Sequence, residues 1–266
     1  MNRTEMRNPA SMHLDEMTTP EMVRLINSEY GKITAAVDAA AESIAEACDA
    51  VSAAVGNGGR VFYIGAGTSG RLGVLDASEI PPTFGADPSL FTGIIAGGDG
   101  ALRRSSEGAE DDRKAGAEDV KKHSFTADDI LIGISASGGP AYVLGAMEYA
   151  RSLGAKVISI TNNYGSKMEA AADIAVVVDT GEEVVTGSTR MKAGTAQKTV
   201  LNIISTTAMV KNGKVCENLM INLKPTNIKL RGRMIRIVKE LSGVDDETAE
   251  RMLDGSGWDI RKAVGK

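Results

Sequence analysis

The chain has 266 residues and a formal charge of −5, from 30 basic and 35 acidic side chains. That balance excludes broad nucleic-acid binding, which needs a basic footprint, while an apolar fraction of 42% is ample for a packed core. Cys48 and Cys216 lie too far apart for a disulfide framework or metal motif; with no apolar leader and no 18-residue apolar run, a soluble cytoplasmic protein without a membrane partner is expected.

Residues 1–19 show no sustained periodicity and read as an extended arm lying on a neighbouring subunit. Thr19 and Pro20 open a helix, a cap residue followed by proline in the first turn. Between 33 and 55, apolar side chains at Ile33, Val37, Ala40, Ile44, Ala47, Val51 and Val55 recur in steps of three and four, predicting one amphipathic helix. Cys48 falls in that register as a small core residue. Short Val/Ile-rich runs at 60–65, 91–96, 129–135, 155–160 and 173–178 then alternate with helical stretches at 68–80, 99–121, 139–153 and 165–172. Continuous apolar strands of this kind belong to a parallel sheet covered on both faces. A long helix over 188–211 precedes a tail of short helices at 226–241, 245–254 and 256–264. The fold class is therefore α/β, with a five-stranded parallel sheet and a small C-terminal helical tail.

Four constellations carry chemistry. The first strand runs into Gly65-Ala66-Gly67-Thr68-Ser69-Gly70 and then a helix. That order places free backbone N–H groups and the positive end of a helix dipole at one point, a site for phosphate. A dinucleotide would want an acidic residue at the end of the next strand; Asp99 lies too far along. Pro81 and Pro82 are expected to end this helix just beyond Asp76 and Glu79. A second loop, Ser135-Ala136-Ser137-Gly138-Gly139-Pro140, repeats the strand–hydroxyl–helix order. One such loop could be a plain N-cap; two at strand ends of one sheet favour a ligand. Third, Thr186, Ser188 and Thr189 crowd a helix start with Arg190 and Lys192 behind them. Cations there oppose the dipole, so pairing with a bound anion or with a carboxylate is expected. Fourth, Glu107 and Glu110 sit three apart on a predicted helix face. An acidic run is usually a solvated surface, unless Glu110 approaches Glu79 and the two divide acid and base duties.

The runs IGAGTSGRLGVLDASEIPPTFG (64–85), EGAEDD (107–112) and EVVTGSTRMKAGTAQK (183–198) together resemble the N-acetylmuramic acid 6-phosphate etherases of the sugar isomerase (SIS) superfamily. The likeness extends to RNPAS at 7–11 and GKVCENLM at 213–220. It implies a three-layer αβα sandwich divided into an N-terminal arm and helices (1–55), a sugar-phosphate-binding SIS domain (56–225) and a helical C-terminal domain (226–266). It implies a lyase that removes D-lactate from N-acetylmuramic acid 6-phosphate, with no cofactor or metal. By the same resemblance Glu79 is the acid toward lactate and Glu110 the base at C2. Gly67, Thr68, Ser69, Ser135, Ser137, Gly138, Ser188 and Lys192 would bind the phosphorylated sugar, within a homodimer whose sites lie near the subunit interface.

The sequence departs from the family where Gly139 replaces an arginine and Ile80 a cysteine, and the tail is expected to lack a last helix. Two other readings share the motifs: an aldose–ketose phosphosugar isomerase, needing a base but no acid for a leaving group, and a non-catalytic sugar-phosphate-binding regulator.

Overall fold

A computed structural model describes residues 2–265. Strands β1 (Val61–Gly65), β2 (Phe91–Ile95), β3 (Ile130–Ser135), β4 (Lys156–Thr161) and β5 (Ile174–Val177) form one parallel sheet in the order β2-β1-β3-β4-β5. Each lies within about two residues of its predicted run, because fully buried strands declare themselves as apolar blocks. Side chains alternate across the sheet. Val61, Tyr63, Ile130, Ile132 and Ile134 enter one core, beneath α1 (Thr19–Ala39), α2 (Ala41–Gly56), α3 (Gly67–Phe84) and α8 (Lys192–Lys211). Phe62, Ile64, Leu131 and Val157 enter the other, beneath α5 (Arg113–Lys122), α6 (Ala141–Ser152) and α7 (Lys167–Ala171). This is the three-layer sandwich.

The tail packs a core of its own from Met234, Ile237, Val238, Ala249, Leu253 and Ile260, on α9 (Ile228–Ser242), α10 (Asp246–Gly255) and α11 (Ile260–Val264). A two-stranded ribbon, β6 (Val215–Cys216) and β7 (Leu219–Met220), leads into it.

Four expectations are corrected. The helix expected over 33–55 breaks at Ala40 (φ −97°, ψ 8°). Unbroken from Thr19 to Gly56 it would run about 57 Å; the break lets both halves pack on α8. The prolines do not stop α3, which continues to Phe84 and ends where Gly85 (φ 62°) caps it. Two lost backbone hydrogen bonds cost about 1–3 kcal/mol together. Burying Ile80 and Phe84, both 5% exposed or less, offsets that by about 1.5–3 kcal/mol each.

The predicted helix over 99–121 is really α4 (Gly100–Arg103), an irregular stretch, a 3₁₀ turn at Ala109–Asp111 and α5. Gly108 takes φ 75°, and the Asp112 side chain accepts from Ala115 N–H at 3.0 Å to start α5 afresh. Glu107 and Glu110 therefore share no α-helical face. Finally, the N-terminal arm is not extended: it forms 3₁₀ turns at Arg3–Glu5, Pro9–Ser11 and Leu14–Glu16 and is tied to its own chain. Arg3 pairs with Asp179 at 2.6 Å, Asn8 Nδ2 donates to Glu29 at 2.9 Å, and Ser11 Oγ donates to the Val184 carbonyl at 2.7 Å.

Candidate active site

The strand order reverses at β1, which has β2 on one side and β3 on the other. In a parallel sheet the crevice at such a reversal, beyond the carboxyl ends of the strands, is where ligands bind. The loop after β1 and the loop after β3 flank it, since Gly65 pairs in register with Ile134. The glycines of the first loop answer a packing demand. A Cβ on Gly65 would lie 2.7 Å from Gly70 N, and one on Gly70 would lie 2.6 Å from Gly65 O. Among the described residues no side chain caps α3, so the N–H groups of Gly67, Thr68 and Ser69 have no helical acceptor and face the crevice with the dipole behind them.

The second loop is held in shape by its own hydroxyls. Ser135 Oγ accepts from Gly138 N–H at 3.1 Å and Ser137 Oγ from Gly139 N–H at 3.3 Å, with the two oxygens 3.4 Å apart. Gly138 has φ 66°, and a Cβ there would meet Ser166 Cβ at 2.4 Å. From below, Asn163 Nδ2 donates to the Ala136 carbonyl at 2.8 Å and to Thr4 Oγ1 at 3.1 Å. The N-terminal arm thus braces the loop.

Two of the expected hydroxyl and cation ligands are engaged elsewhere. Ser69 Oγ is buried and donates to Gln197 Oε1 at 2.8 Å; Gln197 Nε2 donates to Asn162 Oδ1 at 2.9 Å. Ser69 therefore faces the crevice with its backbone N–H. Lys192 is buried and its ammonium pairs with Glu29, so of the anion and the carboxylate left open by the sequence, the carboxylate is its partner. Burial alone would raise the Glu29 carboxyl, but hydrogen bonds from Lys192, Lys32 and Asn8 outweigh it and hold the group below its ordinary range. Glu183, fully buried, accepts from Lys192 N–H at 3.0 Å and Ala193 N–H at 2.8 Å. A carboxylate at the start of α8 removes the dipole conflict that two early cations posed. Ser188 is half-buried in the turn before α8, and Gly194 sets that turn against Thr68, 3.2 Å from where its Cβ would lie.

The two glutamates stand apart. Glu110 is exposed on its 3₁₀ turn and lines a cavity of about 320 Å³ with Gly67, Arg71, Ser106 and Glu107. Arg71, not singled out in the sequence, clamps the roof of this cavity by donating to the carbonyls of Leu102 at 3.1 Å and Ala101 at 2.7 Å. Glu79 lies twelve residues down α3 from Gly67, about 18 Å along the axis. It is also exposed, and lines a second cavity of about 450 Å³ between α3 and α8, with Asp76, Lys198 and Asn202. Asp76, one turn before it, is buried. It accepts from Tyr63 Oη at 2.9 Å, Asn202 Nδ2 at 2.6 Å and Ser205 Oγ at 3.3 Å. Burial raises the Asp76 carboxyl above its ordinary range despite those bonds, and pushes the Tyr63 phenol well up.

Within one chain one cavity thus gathers Glu110 with Gly67, the loop at 135–139 follows the strand paired beside β1, and Glu79 lines another cavity. Lys198 and Asn202 were within reach of the sequence, one on the last residue of the 183–198 run and the other four residues on along α8. Gln197 lies in the same run but was not singled out, and Asn162 and Asn163 gave no signal, because the partners of all three are distant in the chain. Among the described residues no group of three His, Cys, Asp or Glu side chains is placed to hold a metal ion, and no helix is long and apolar enough to cross a membrane.

The family model of the glucokinase regulatory protein N-terminal SIS domain matches residues 43–151, and that of the SIS domain matches residues 115–206. The chain is 53% identical to an N-acetylmuramic acid 6-phosphate etherase of Aeromonas hydrophila, over 94% of this chain and 84% of that one. It is 50% identical to N-acetylmuramic acid 6-phosphate etherase 2 of Vibrio parahaemolyticus (98% and 87% covered) and 49% identical to the etherase of Clostridium botulinum (98% and 86%). Among solved structures, a phosphoheptose isomerase from Francisella tularensis superposes with a TM-score of 0.52 at 21% identity, covering 74% of this chain and 99% of the other. Phosphoheptose isomerase from Neisseria gonorrhoeae gives 0.52 at 20% identity, covering 73% and 99%. At such identities these two establish the fold alone.

Proposed function

The chain belongs to the N-acetylmuramic acid 6-phosphate etherases, and from that premise we propose that it cleaves the lactyl ether of N-acetylmuramic acid 6-phosphate in cell-wall sugar recycling. The observation that carries the mechanism is that Glu110 lines the same cavity as the open N-terminus of α3. A phosphate held on the N–H groups of 67–69 and the Ser135 and Ser137 hydroxyls leaves the sugar chain to extend toward that carboxylate.

In the ring-opened sugar the C2 proton is α to an aldehyde, and the lactyl ether at C3 is β to it. Glu110 takes the C2 proton, and the electron pair forms the C2–C3 double bond. The C3–O bond breaks as Glu79 gives a proton to the departing oxygen, releasing D-lactate. Water then adds, its hydroxyl to C3 and a proton to C2, giving N-acetylglucosamine 6-phosphate.

In one chain the two acids line different cavities, and Glu79 lies about 18 Å along α3 from the Gly67 end that would hold the phosphate. We therefore place Glu79 on the second subunit of a homodimer, each site taking its phosphate loops and Glu110 from one chain and its acid from the other. The exposed Leu75 beside Glu79 supports burial of this helix face.

Incubation with N-acetylmuramic acid 6-phosphate in heavy water tests the function. Lactate release with deuterium at C2 is expected. Exchange at C2 without lactate would instead mark a phosphosugar isomerase, and binding with neither a regulator.

A further inference from the structure

The cavity that holds Glu79 contains more than an acid. Among the described residues Lys198 is the only cation lining it, and its ammonium bonds Asn202 Oδ1 and pairs with no carboxylate. Asn202 is itself fixed, because its Nδ2 donates to Asp76 at 2.6 Å, and Asp76 is anchored by the Tyr63 hydroxyl at 2.9 Å. A chain of three buried or half-buried groups, Asn202, Asp76 and Tyr63, therefore tethers the exposed Lys198 ammonium at the lining of the cavity. Such a relay orients a cation more firmly than a free lysine on a helix face. Leu72 and Leu75 form an apolar wall beside it.

We infer that Lys198 binds the carboxylate of the lactyl group, a reading that rests on the etherase function proposed above. The lactyl carboxylate and the ether oxygen are borne by the same carbon. A proton donor within hydrogen-bond reach of that oxygen, about 3 Å, has the carboxylate as its immediate neighbour. Once Glu79 has given up its proton, its carboxylate and that of the departing lactate would repel one another without a cation between them. Lys198 neutralises the substrate carboxylate with a charge-assisted hydrogen bond, and the leucine wall receives the lactyl methyl group. The cavity between α3 and α8 is thus the lactyl subsite. It distinguishes the muramic acid ether from phosphorylated sugars that lack the acid.

The test compares N-acetylmuramic acid 6-phosphate with its lactyl methyl ester, which keeps the ether and the phosphate but not the negative charge. In wild-type protein kcat/KM is expected to favour the acid. Lys198→Met is expected to lower the acid-to-ester ratio about 10- to 100-fold, the worth of a hydrogen bond to a charged group, mainly through KM for the acid. Lys198→Arg is expected to recover much of the ratio. The ratio is internal to each variant, so a general loss of folding does not mimic the effect. Lactate release with an unchanged ratio in Lys198→Met overturns the carboxylate assignment alone. Wild-type protein that releases lactate from neither compound removes the etherase reading as well.

Discussion

Glu79→Gln and Glu110→Gln, each defective alone, are expected to restore one another when the two variants share a dimer. The reasoning is geometric. Glu110 lies with the N-terminus of α3, whereas Glu79 lies in the separate cavity between α3 and α8, about 18 Å down the helix. If each site takes Glu110 from one chain and Glu79 from the other, a two-fold dimer of the two variants contains one site with both acids intact and one with neither. Each variant alone should lose about 10²- to 10⁴-fold in lactate release, as removal of a general acid or base does. Random 1:1 reassortment makes about half of the dimers mixed, and selection by both tags keeps only those, so recovered activity approaches about half of wild type. The two variants carry different affinity tags, are co-expressed, and are purified by both tags before lactate is assayed. Activity in the mixed dimer no greater than the mean of the two parents would refute the shared site, because acids acting from one chain leave a lesion in every site.

Four other outcomes follow from the contacts described. Glu29→Gln leaves the buried Lys192 ammonium without its carboxylate and should cost about 3–5 kcal/mol in urea denaturation; a Glu29→Met/Lys192→Met double variant should lose less. The same pair predicts acid sensitivity. The Glu29 carboxyl and that of Asp129, in its ion pair with Arg60 at 2.7 Å, are held below their ordinary values of 4.5 and 3.8, so their stabilisation is complete above those values and is lost as pH falls through the lower folded-state values. Unfolding midpoints should drop over that window, and the double variant should flatten the Glu29 part of it. Ser137→Ala should weaken binding of N-acetylglucosamine 6-phosphate more than of N-acetylglucosamine in calorimetric titrations, while Ser69→Ala, whose hydroxyl is committed to Gln197, should lower the melting temperature. Equal losses of phosphate affinity in both would contradict this division. Gly138→Ala should lose both stability, by about 1–3 kcal/mol, and sugar-phosphate affinity; retention of both would mean the loop adapts to a side chain at φ 66°.

The features readable from the sequence were those whose cause is local. VFYI, ILIGI and VISI read as buried parallel strands because their residues form nearly unbroken apolar runs. The loops at 65–70 and 135–140 read as anion cradles because their glycines, hydroxyls and following helices are consecutive. Where the sequence misled, a long-range contact outweighed a local rule. Pro81 and Pro82 predict a stop, yet α3 continues because Ile80 and Phe84 reach the core. An acidic run at 107–112 has helical spacing, yet Gly108 and the Asp112 cap break it.

By itself, then, the sequence determined the sheet, its two ligand loops and the chemical types available at the site, since hydrophobic period and turn chemistry act between neighbours in the chain. Only tertiary structure decided that Lys192 answers Glu29, that Ser69 turns toward Gln197, and that Glu79 faces α8 while Glu110 faces the loops. Those outcomes depend on which distant charge or donor is brought within a few ångströms during packing, and residue spacing along the chain carries no record of that distance.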